Sequence, residues 1–530
     1  MRFLLINPYY PISETPSPPL GLACIAAALE SAGIEVKILD CVVFPYTRQF
    51  LEQTIAQFDP HCVGATAVTM NVDEAVSVLR DAKNIAPGIF TLIGGPHVSF
   101  RAQETLQTAP EIDAVVIGEG EETVVELADA LHTGKPLQAI RGLAYRENHT
   151  IKITEPRPLI ANLDRLPEPA RHHIALGRYR ALGLPISITT SRGCPYSCIF
   201  CVGRKMVGSK IRYRSPAKIV DELARLSNLG FHQINIADDL FTASKQHCLA
   251  VCDELIQRGV KIPWTSFARV DTVSPELLQR MKTAGCTAVS FGVESGSPEI
   301  LKRIRKGISL DQVFAAVAMC NHAGITPQAS FILGLPGETP NTLQATVDMA
   351  DRLKQLGALH GFHLLAPFPG TEVRENIHRY DLQILSNDWK DYHANRAIVR
   401  TAAVSPEMMN AVVKAWEHQF NLWLDNIKQG REKGEMTAAE AWPLTHLEHT
   451  VLLYDLMMKQ GIETQGLFRQ NGGSTADYGA IHGLVDRLKG IIHQPRDQMI
   501  HTLAYALDRG YLSYTLRNGY YQWNWNNFLQ

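Results

Sequence analysis

Three closely spaced cysteines, Cys194, Cys198 and Cys201, are the side chains of this sequence best suited to chemistry. Their spacing is C-x3-C-x2-C, with no fourth cysteine nearby. Thiolates suit iron–sulfur clusters, and a cubane cluster usually takes four of them. A cluster held by only three thiolates has one iron that can bind another molecule. The spacing therefore predicts a [4Fe–4S] cluster that serves as a reaction centre.

Two other uses of these cysteines stay open at this point. A structural zinc ion usually takes four protein ligands in a closed tetrahedron, and His172 and His173 lie too far upstream to supply a local fourth ligand. The cysteines could also be buried packing residues, as cysteine often is. Phe200, directly before the last cysteine, is well placed to shield a cluster from water. The cluster is therefore the favoured interpretation.

Glycine-rich turns follow the predicted strands of residues 1–135, which form a second candidate site. This region alternates apolar runs with helical patterns, so we expect an α/β fold with a doubly wound, Rossmann-like parallel sheet. Ligands of such sheets bind at the carboxyl ends of the strands. The dinucleotide fingerprint G-x-G-x-x-G is absent, and Glu119 and Glu121 would repel a phosphate, which argues against a nicotinamide or flavin.

The rest of the chain divides into three further parts. Residues 136–185 are proline-punctuated and are expected to form a connector. Residues 186–380 contain six predicted strand–helix units, too few for a closed eight-unit barrel, so a partial (β/α)6 barrel is expected. Residues 381–530 are expected to form a mostly helical domain that caps the barrel mouth. Its aromatic end, 520–528, could stack on a substrate or pack against the barrel.

Composition excludes several other classes of protein. The chain has 530 residues, 45% hydrophobic and 20% charged, and a net charge of −2. No basic footprint for nucleic acid stands out, and no run of about 18 apolar residues predicts a membrane span. The amino-terminal run reads as a strand rather than a signal peptide. We therefore expect a cytoplasmic protein whose ten cysteines are reduced.

The cysteine motif, with an aromatic residue before its last cysteine, resembles the signature of radical S-adenosylmethionine (SAM) enzymes. The resemblance implies that Cys194, Cys198 and Cys201 hold a [4Fe–4S] cluster whose free iron binds SAM, and that reductive cleavage of SAM gives a 5′-deoxyadenosyl radical. Asp238 and Asp239 are adjacent in sequence, so only one of them is expected to face inward. The residues assigned to SAM by the resemblance and by their chemistry are Phe200, Asp238, Asp239, Arg269, Glu294, Gly334 and Pro336.

The amino-terminal turns resemble, in order, the B12-binding half of cobalamin-dependent radical SAM enzymes, and the whole resemblance covers about residues 1–375. It implies cobalamin as a third cofactor. The Asp-x-His-x-x-Gly motif of a lower cobalt ligand is missing, so Thr69, Met70 and Asn71 are expected under the cobalt. The full set of residues that the resemblance assigns to cobalamin is Pro19, Leu20, Gly64, Thr66, Thr69, Met70, Asn71, Gly94, Gly95, His97, Gly118, Glu119 and Gly120.

The resemblance implies a C-methyltransferase that acts on an unactivated carbon through a 5′-deoxyadenosyl radical and methylcobalamin. The alternative is a non-methylating oxidative cyclase or rearrangement enzyme of the anaerobic magnesium-protoporphyrin monomethyl ester cyclase type. A sensor based on the cluster or on cobalamin is a third, non-enzymatic class. The implied partners are a small-molecule or natural-product substrate and an electron donor such as flavodoxin or ferredoxin. No residue is assigned a catalytic role beyond cofactor binding.

Overall fold

The computed structural model describes residues 1–11, 15–147, 150–231, 233–393, 395–470 and 476–528. The predicted class is confirmed: a doubly wound α/β region is followed by an open parallel sheet and then by a mostly helical region. No helix in these ranges is both long enough and apolar enough to cross a membrane.

A seven-stranded sheet forms the amino-terminal region, in the order β2-β1-β3-β4-β5-β6-β7. The first five strands are parallel, while β6 and β7 are antiparallel and come from the predicted connector. The strands are β1 (Arg2–Asn7), β2 (Glu35–Asp40), β3 (Cys62–Thr66), β4 (Phe90–Gly94), β5 (Ala114–Val116), β6 (Leu143–Glu147) and β7 (Thr150–Ile153). The helices are α1 (Leu20–Ser31), α2 (Arg48–Phe58), α3 (Val72–Ile85), α4 (Pro96–Thr108) and α5 (Glu121–Thr133).

Helices cover both faces of this sheet, which explains why its strands read as continuous apolar runs. Along β1, Phe3 and Leu5 pack into a core with α1 and α5. Leu4 and Ile6 point the other way, into a core with α2, α3 and α4. Side chains alternate between the faces of a strand, so four consecutive apolar residues are all buried. Because β1 to β5 run parallel, the turns that follow them lie at one edge of the sheet.

A six-stranded parallel sheet in the order β15-β14-β13-β12-β11-β8 forms the central region. Its edge strands β8 and β15 are not paired with each other, so the sheet is an open, partial barrel as expected. The strands of the region are β8 (Ile186–Ile188), β9 (Ser191–Arg192), β10 (Arg212–Tyr213), β11 (Ile234–Ile236), β12 (Trp264–Ala268), β13 (Cys286–Glu294), β14 (Thr326–Leu333) and β15 (Leu359–Leu364). The helices are α6 (Leu176–Ala181), α7 (Gly203–Val207), α8 (Pro216–Asn228), α9 (Lys245–Gln257), α10 (Pro275–Thr283), α11 (Pro298–Arg303), α12 (Leu310–Ala323), α13 (Pro340–Gln355) and α14 (Glu372–Glu375).

Local sequence signals fix where the barrel helices begin. A proline occupies the first turn of α8, α10, α11 and α13, where its missing N–H costs nothing. The side chains of Ser274, Ser297 and Thr339 accept hydrogen bonds from the first turns of the helices they precede. Each cap fixes the residue at which its helix begins.

The carboxyl-terminal region combines five helices with short strands. The helices are α15 (Pro406–Glu432), α16 (Ala438–Met458), α17 (Gly461–Gln465), α18 (Ala476–Leu488) and α19 (Arg496–Asp508). The strands are β16 (Leu382–Ile384), β17 (Val399–Thr401), β18 (Leu467–Arg469), β19 (Leu512–Arg517) and β20 (Tyr520–Trp525). Strands β18, β20 and β19 form an antiparallel sheet that we did not predict.

The aromatic end of the chain packs inside this sheet. Tyr521, Trp523 and Trp525 alternate along β20 and are buried, whereas Tyr520 is exposed. The carboxyl-terminal region packs at the amino ends of two barrel strands. Trp442 and Tyr505 line a cavity together with Pro185 and Gln233, which directly precede β8 and β11. The expectation that the carboxyl-terminal helices cap the barrel mouth is therefore wrong for α16 and α19, because they pack at the amino ends of these strands.

Candidate functional site

The three cysteines lie on a loop, residues 193–203, that a short hairpin presents at the barrel mouth. Strand β9 directly precedes the loop and pairs with β10, which follows it in the chain. Gly193 has a φ of +120°, and a Cβ there would lie 2.6 Å from the backbone oxygen of Lys210, so the turn into the loop requires glycine. The backbone N–H of Cys194 donates to Gly208 O at 3.1 Å. These backbone contacts fix the start of the loop.

The positions of the cysteine sulfurs distinguish between the two metal interpretations. The three sulfur atoms do not all lie within 4.8 Å of one another. Around a single tetrahedral zinc ion, with Zn–S bonds of about 2.3 Å, sulfurs would lie about 3.8 Å apart. A cubane cluster places each cysteine on a different iron and so tolerates wider spacing. The geometry favours the cluster.

Desolvation keeps the metal-free thiols protonated, although Cys201 as a whole residue is exposed and Cys194 and Cys198 are partly buried. Desolvation of its sulfur raises the pKa of Cys201 to about 11, and the backbone N–H of Gly203 opposes the rise. Burial also raises the pKa of Cys198, opposed by the positive charges of Lys306 and Arg269. Metal binding therefore has to displace protons from these thiols, and the two cations make that displacement easier.

A buried network of charged side chains joins the end of β13 to the cysteine loop. Glu294, predicted as a SAM contact, has a φ of +69° and accepts a hydrogen bond from Lys306 Nζ at 2.6 Å. Arg269 donates to Asp271 at 2.9 Å and to the backbone oxygen of Lys306 at 2.7 Å. Its guanidinium lies 3.6 Å from the centre of the Tyr196 ring, inside the cysteine loop. The two predicted residues Glu294 and Arg269 are therefore brought together beside the cysteines.

Lys306 is a residue that we missed from sequence. It lies in the basic run Lys302–Lys306, whose repeated charges are typical of a solvated helix end. In the structure Lys306 is buried and pairs with the buried Glu294. Gly307 directly follows Lys306 and has a φ of +68°, so this glycine was the sequence signal for a turn at this point.

The structure separates the roles of Asp238 and Asp239. Asp238 is buried and accepts hydrogen bonds from the backbone N–H of Thr190 at 2.6 Å and from Ser191 Oγ at 2.7 Å. It thereby ties β11 to the residues that precede the cysteine loop. Asp239 is exposed and lines the large cavity described below. A Cβ on Gly203 would lie 2.7 Å from Asp239 Oδ1 and 3.6 Å from Cys201 Sγ, so Asp239 is the carboxylate next to the cluster site.

We expect the variant Asp238→Asn to unfold more readily than Asp239→Asn. The amide would place an N–H donor against the donors of Thr190 and Ser191, and a mismatched buried polar group costs about 2 kcal/mol. The exposed Asp239 should change the free energy of unfolding by less than about 0.5 kcal/mol. Anaerobic thermal unfolding of the two variants and the wild type measures this difference. Equal destabilisation by both variants would show that Asp238 is not the structural member of the pair.

The turn after β14 contains the predicted SAM residues Gly334 and Pro336. Gly334 has a φ of +85°, and a Cβ there would lie 2.8 Å from Met409 Sδ, so glycine is required. Its N–H donates to Glu338 Oε2 at 2.6 Å. The turn therefore depends on a glutamate that is completely buried. The aromatic Phe200 packs nearby, against the apolar cluster that contains Leu335.

We expect replacement of Glu338 by glutamine to change how stability depends on pH. Burial raises the pKa of Glu338 to about 7 from an ordinary value of 4.5, opposed by the Gly334 N–H. A raised carboxyl pKa stabilises the fold at low pH, and this stability is lost as the pH rises from about 4.5 to about 7. As the pH rises from about 5 to about 8, the free energy of unfolding of Glu338→Gln should therefore increase by on the order of 3 kcal/mol relative to that of the wild type. Parallel unfolding curves for the two proteins across this range would contradict the assignment.

A cavity of about 420 Å³ lies between the carboxyl edge of the first sheet and the barrel. Asp239 on the barrel side shows that the cavity reaches the cysteine loop. Among the residues predicted for cobalamin, those that line it are Gly64, Thr66, Gly94, Gly95, Gly118, Glu119 and Gly120. On the barrel side it is lined by Thr189, Ser191, Arg192, Met206, Val207, Ala237 and Asp239. Pro19 and Leu20 directly precede two further lining residues, Gly21 and Leu22.

The other residues predicted for cobalamin lie elsewhere. Met70 and Asn71 line a separate cavity of about 240 Å³, and Asn71 Oδ1 accepts a hydrogen bond from the N–H of Val68 at 2.9 Å. His97 is buried, with Nδ1 3.2 Å from Thr69 Oγ1, and its ring forms a T-shaped contact with the ring of Trp389. Burial lowers the pKa of His97 to about 4, so its ring is neutral near pH 7.

An ion-pair junction joins the first sheet to the strand before the cysteines. Arg192 pairs with Glu119 at 3.2 Å and with Glu121 at 2.5 Å. Arg212 pairs with the same Glu119 at 2.8 Å. Burial alone would raise the pKa of Glu119. The hydrogen bonds from Arg212 and Ile160 outweigh burial and hold this pKa below its ordinary value, so Glu119 stays ionised. Glu119 and Glu121, the two acids that argued against a phosphate ligand, thus pair with arginines of the barrel region.

Comparison with known proteins identifies the family. The B12 binding domain family matches residues 13–128, and the radical SAM superfamily matches residues 188–350. An uncharacterised methyltransferase of Pyrococcus horikoshii is 37% identical over 421 residues, which cover 78% of this chain and 91% of the relative. The chain belongs to the cobalamin-dependent radical SAM family. It is therefore a radical SAM enzyme with a methyltransferase among its relatives, and the predicted resemblance is confirmed.

Other members of the cobalamin-dependent radical SAM family differ in their reactions. The anaerobic magnesium-protoporphyrin IX monomethyl ester cyclase of Cereibacter sphaeroides is 29% identical over 402 residues, covering 72% of this chain and 65% of the cyclase. The solved structure of the cobalamin-dependent SAM radical enzyme OxsB, with aqua-cobalamin and SAM bound, matches with a TM-score of 0.69 at 18% identity, covering 96% of this chain and 83% of OxsB. That match shows the shared fold.

Proposed function

We propose that this enzyme transfers a methyl group from SAM to an unactivated carbon of a small-molecule or natural-product substrate. Cys194, Cys198 and Cys201 would hold the cluster, and the 420 Å³ cavity would receive cobalamin. The observation that supports this most is the continuity of the cavity: glycine turns of one sheet form one wall, and Asp239, beside the cysteine loop, lies on the other. Both cofactors would then meet one space.

Two glycines of the cavity wall leave open space for a ligand. Gly21 and Gly118 line the cavity, and a Cβ on either would meet no protein atom within 4 Å. A side chain there would therefore project into open space. Gly118 also has a φ of +77°, which disfavours any other residue. When bound, the cluster and SAM supply a hydrogen-abstracting radical, and cobalamin supplies the methyl group.

The chain's own residues would position SAM and exclude water. Asp239 is placed to accept a hydrogen bond from an ammonium or ribose hydroxyl next to the cluster. Lys306 holds Glu294 in its positive-φ conformation, and Arg269 orders the Tyr196 side of the cysteine loop. Gly334 and Pro336 would contact the adenine through backbone and apolar surface. Phe200 would shield the cluster from water.

We further assign cobalamin binding to residues 1–135, the connector to 136–185, radical chemistry to 186–380 and the helical domain to 381–530. Strands β6 and β7 extend the first sheet into the connector, so a stable isolated cobalamin domain would need residues up to 153. An electron donor such as flavodoxin or ferredoxin is the expected partner.

An anaerobic incubation with trideuteromethyl-SAM, cobalamin, reductant and candidate substrates tests the proposed reaction. We expect mass spectrometry to show a product that carries the labelled methyl group, together with 5′-deoxyadenosine and S-adenosylhomocysteine. The 37% identical methyltransferase relative supports this outcome.

The cyclase relative supports the alternative reaction. An oxidative cyclisation would produce 5′-deoxyadenosine without S-adenosylhomocysteine, and its product would contain no label from the SAM methyl group. That result would replace methyl transfer with cyclisation while leaving the cofactor assignment intact. No 5′-deoxyadenosine with any substrate or in its absence would contradict both reactions.

A further inference from the structure

A cluster of metal-ligating side chains lies outside the cavity, where the connector crosses α1. Glu30 is in the last turn of α1, and His172 and His173 belong to a short 3-10 helix. Nε2 of His172 lies 3.0 Å from Glu30 Oε1, and Nε2 of His173 lies 2.7 Å from the same oxygen. Within the described ranges, this is the only group of three histidine, cysteine, aspartate or glutamate side chains whose ligand atoms all lie within 4.8 Å.

The two N···O separations are shorter than those around a tetrahedral metal ion. With metal–ligand bonds of about 2.1 Å, tetrahedral ligands lie about 3.4 Å apart, so an ion would move the imidazole nitrogens away from Glu30 Oε1 by about half an ångström. Imidazole nitrogens suit zinc, nickel, copper and iron, and a carboxylate oxygen completes such a set. The competing explanation is a pair of N–H···O hydrogen bonds from two neutral rings to one carboxylate oxygen. The two explanations differ in what happens when a metal is added.

The two residues that precede the histidines anchor their backbone to α1 and to the barrel. The N–H of Ala170 donates to Ala23 O in α1 at 2.9 Å. Arg171 donates to the backbone oxygen of Ser187 in β8 at 2.7 Å and pairs with Glu222 in α8. The two rings are therefore presented by a segment that is fixed before any ligand binds. Preorganisation of this kind lowers the entropic cost of binding.

We infer that Glu30, His172 and His173 form a binding site for a divalent transition-metal ion of the zinc class. The side chain of His172 is 64% exposed, which leaves room for water on the open side of the ion. The ion would fasten the connector to the carboxyl end of α1, whose opposite end lines the cavity. This inference does not depend on the proposed reaction.

Zinc titration of the tag-free holoenzyme tests the site. The protein is kept anaerobic, heat of binding is measured, and the absorption of the iron–sulfur cluster is followed to show that zinc does not displace iron. We expect one zinc ion per chain in the wild type, and an affinity at least about ten-fold lower in Glu30→Gln and in His173→Gln. His132→Gln, which removes an exposed imidazole from the last turn of α5, serves as the matched control and should bind as the wild type does.

Thermal unfolding gives a second readout, because an ion that binds only the folded state raises the melting temperature. Melting without zinc shows that each variant folds. Zinc should then raise the melting temperature of the wild type and the His132 variant but not of the other two. Absence of zinc binding by the wild type, or binding that is equally tight in all four proteins, would overturn the inference. Zinc bound by the cysteines instead would give equally tight binding in all four proteins.

Discussion

Replacement of Cys198 with alanine is expected to reduce SAM cleavage to the background of the assay. Two thiolates cannot hold a cubane cluster in place of three, and no other cysteine is close in sequence to replace the missing one. The iron and sulfide content of the anaerobically reconstituted variant should fall with the activity. 5′-Deoxyadenosine formed from SAM and reductant measures the activity directly and does not require the true substrate.

The matched control for this experiment is Cys320→Ala. Cys320 is fully buried in α12, and burial raises the pKa of its thiol to about 12, so it is an inert packing residue. We expect the control to retain its cluster and its SAM cleavage, with some loss of stability. A Cys198→Ala protein that still contained a cubane cluster and cleaved SAM would exclude Cys198 as a ligand. Loss of the cluster from both variants would point to a general folding defect instead.

Arg192→Met is expected to weaken cobalamin binding while leaving the cluster in place. Arg192 links Glu119 and Glu121, which flank Gly120 in the turn that lines the cavity, to the strand that leads into the cysteine loop. Its loss leaves Glu121 buried without this cation. Breaking a fully buried pair costs 3–5 kcal/mol, and with Arg192 partly exposed we expect about 2 kcal/mol, or roughly a thirty-fold weaker affinity for cobalamin.

A surface ion pair provides the comparison. Arg258 pairs with Asp221 at 2.8 Å, and both side chains are more than a third exposed. Arg258→Met should change cobalamin affinity by less than about two-fold, because exposed pairs contribute little. Cobalamin titration by absorbance, with iron content measured on the same samples, compares the two variants. Unchanged cobalamin affinity in Arg192→Met would mean that the junction does not position the turn.

The coupling of SAM cleavage to methylation gives a second readout of the same junction. If Arg192 sets the position of the cobalamin turn relative to the cluster, its loss should increase the ratio of 5′-deoxyadenosine to methylated product. A purely structural defect would lower both in proportion. This ratio therefore separates a positioning role from a loss of folded protein.

The sequence was most informative for parallel strands and capped helices. The sequence pattern predicts helices at 48–58 and 72–85 and strands at 90–94, 264–268 and 326–333, which are the bounds of α2, α3, β4, β12 and β14 in the structure. Apolar runs mark strands that are buried on both faces, and polar residues mark helix starts. The antiparallel sheet near the carboxyl end was missed although its turn carries a strong signal. Asn518-Gly519, with φ of 52° and 74°, is the two-residue hairpin loop between β19 and β20.

The candidate site could be predicted only in part. The cysteine motif and the glycine turns are local in sequence, so their chemistry can be read without a fold. The pairing of Lys306 with Glu294, and of Arg192 with Glu119 and Glu121, depends on which loops the fold brings together. The choice between Asp238 and Asp239 likewise needed the register of β11 against β8. Charged residues at loop ends were therefore the least predictable part of the site.

We expect one chain to hold a SAM-binding cubane cluster and cobalamin together. The most direct test is electron paramagnetic resonance of the reduced, anaerobically reconstituted enzyme, with iron, sulfide and cobalt measured on the same sample. We predict about four irons and four sulfides with one cobalamin per chain, and a cluster spectrum that changes when SAM is added. Zinc in place of iron, or a cluster spectrum that SAM leaves unchanged, would contradict the account.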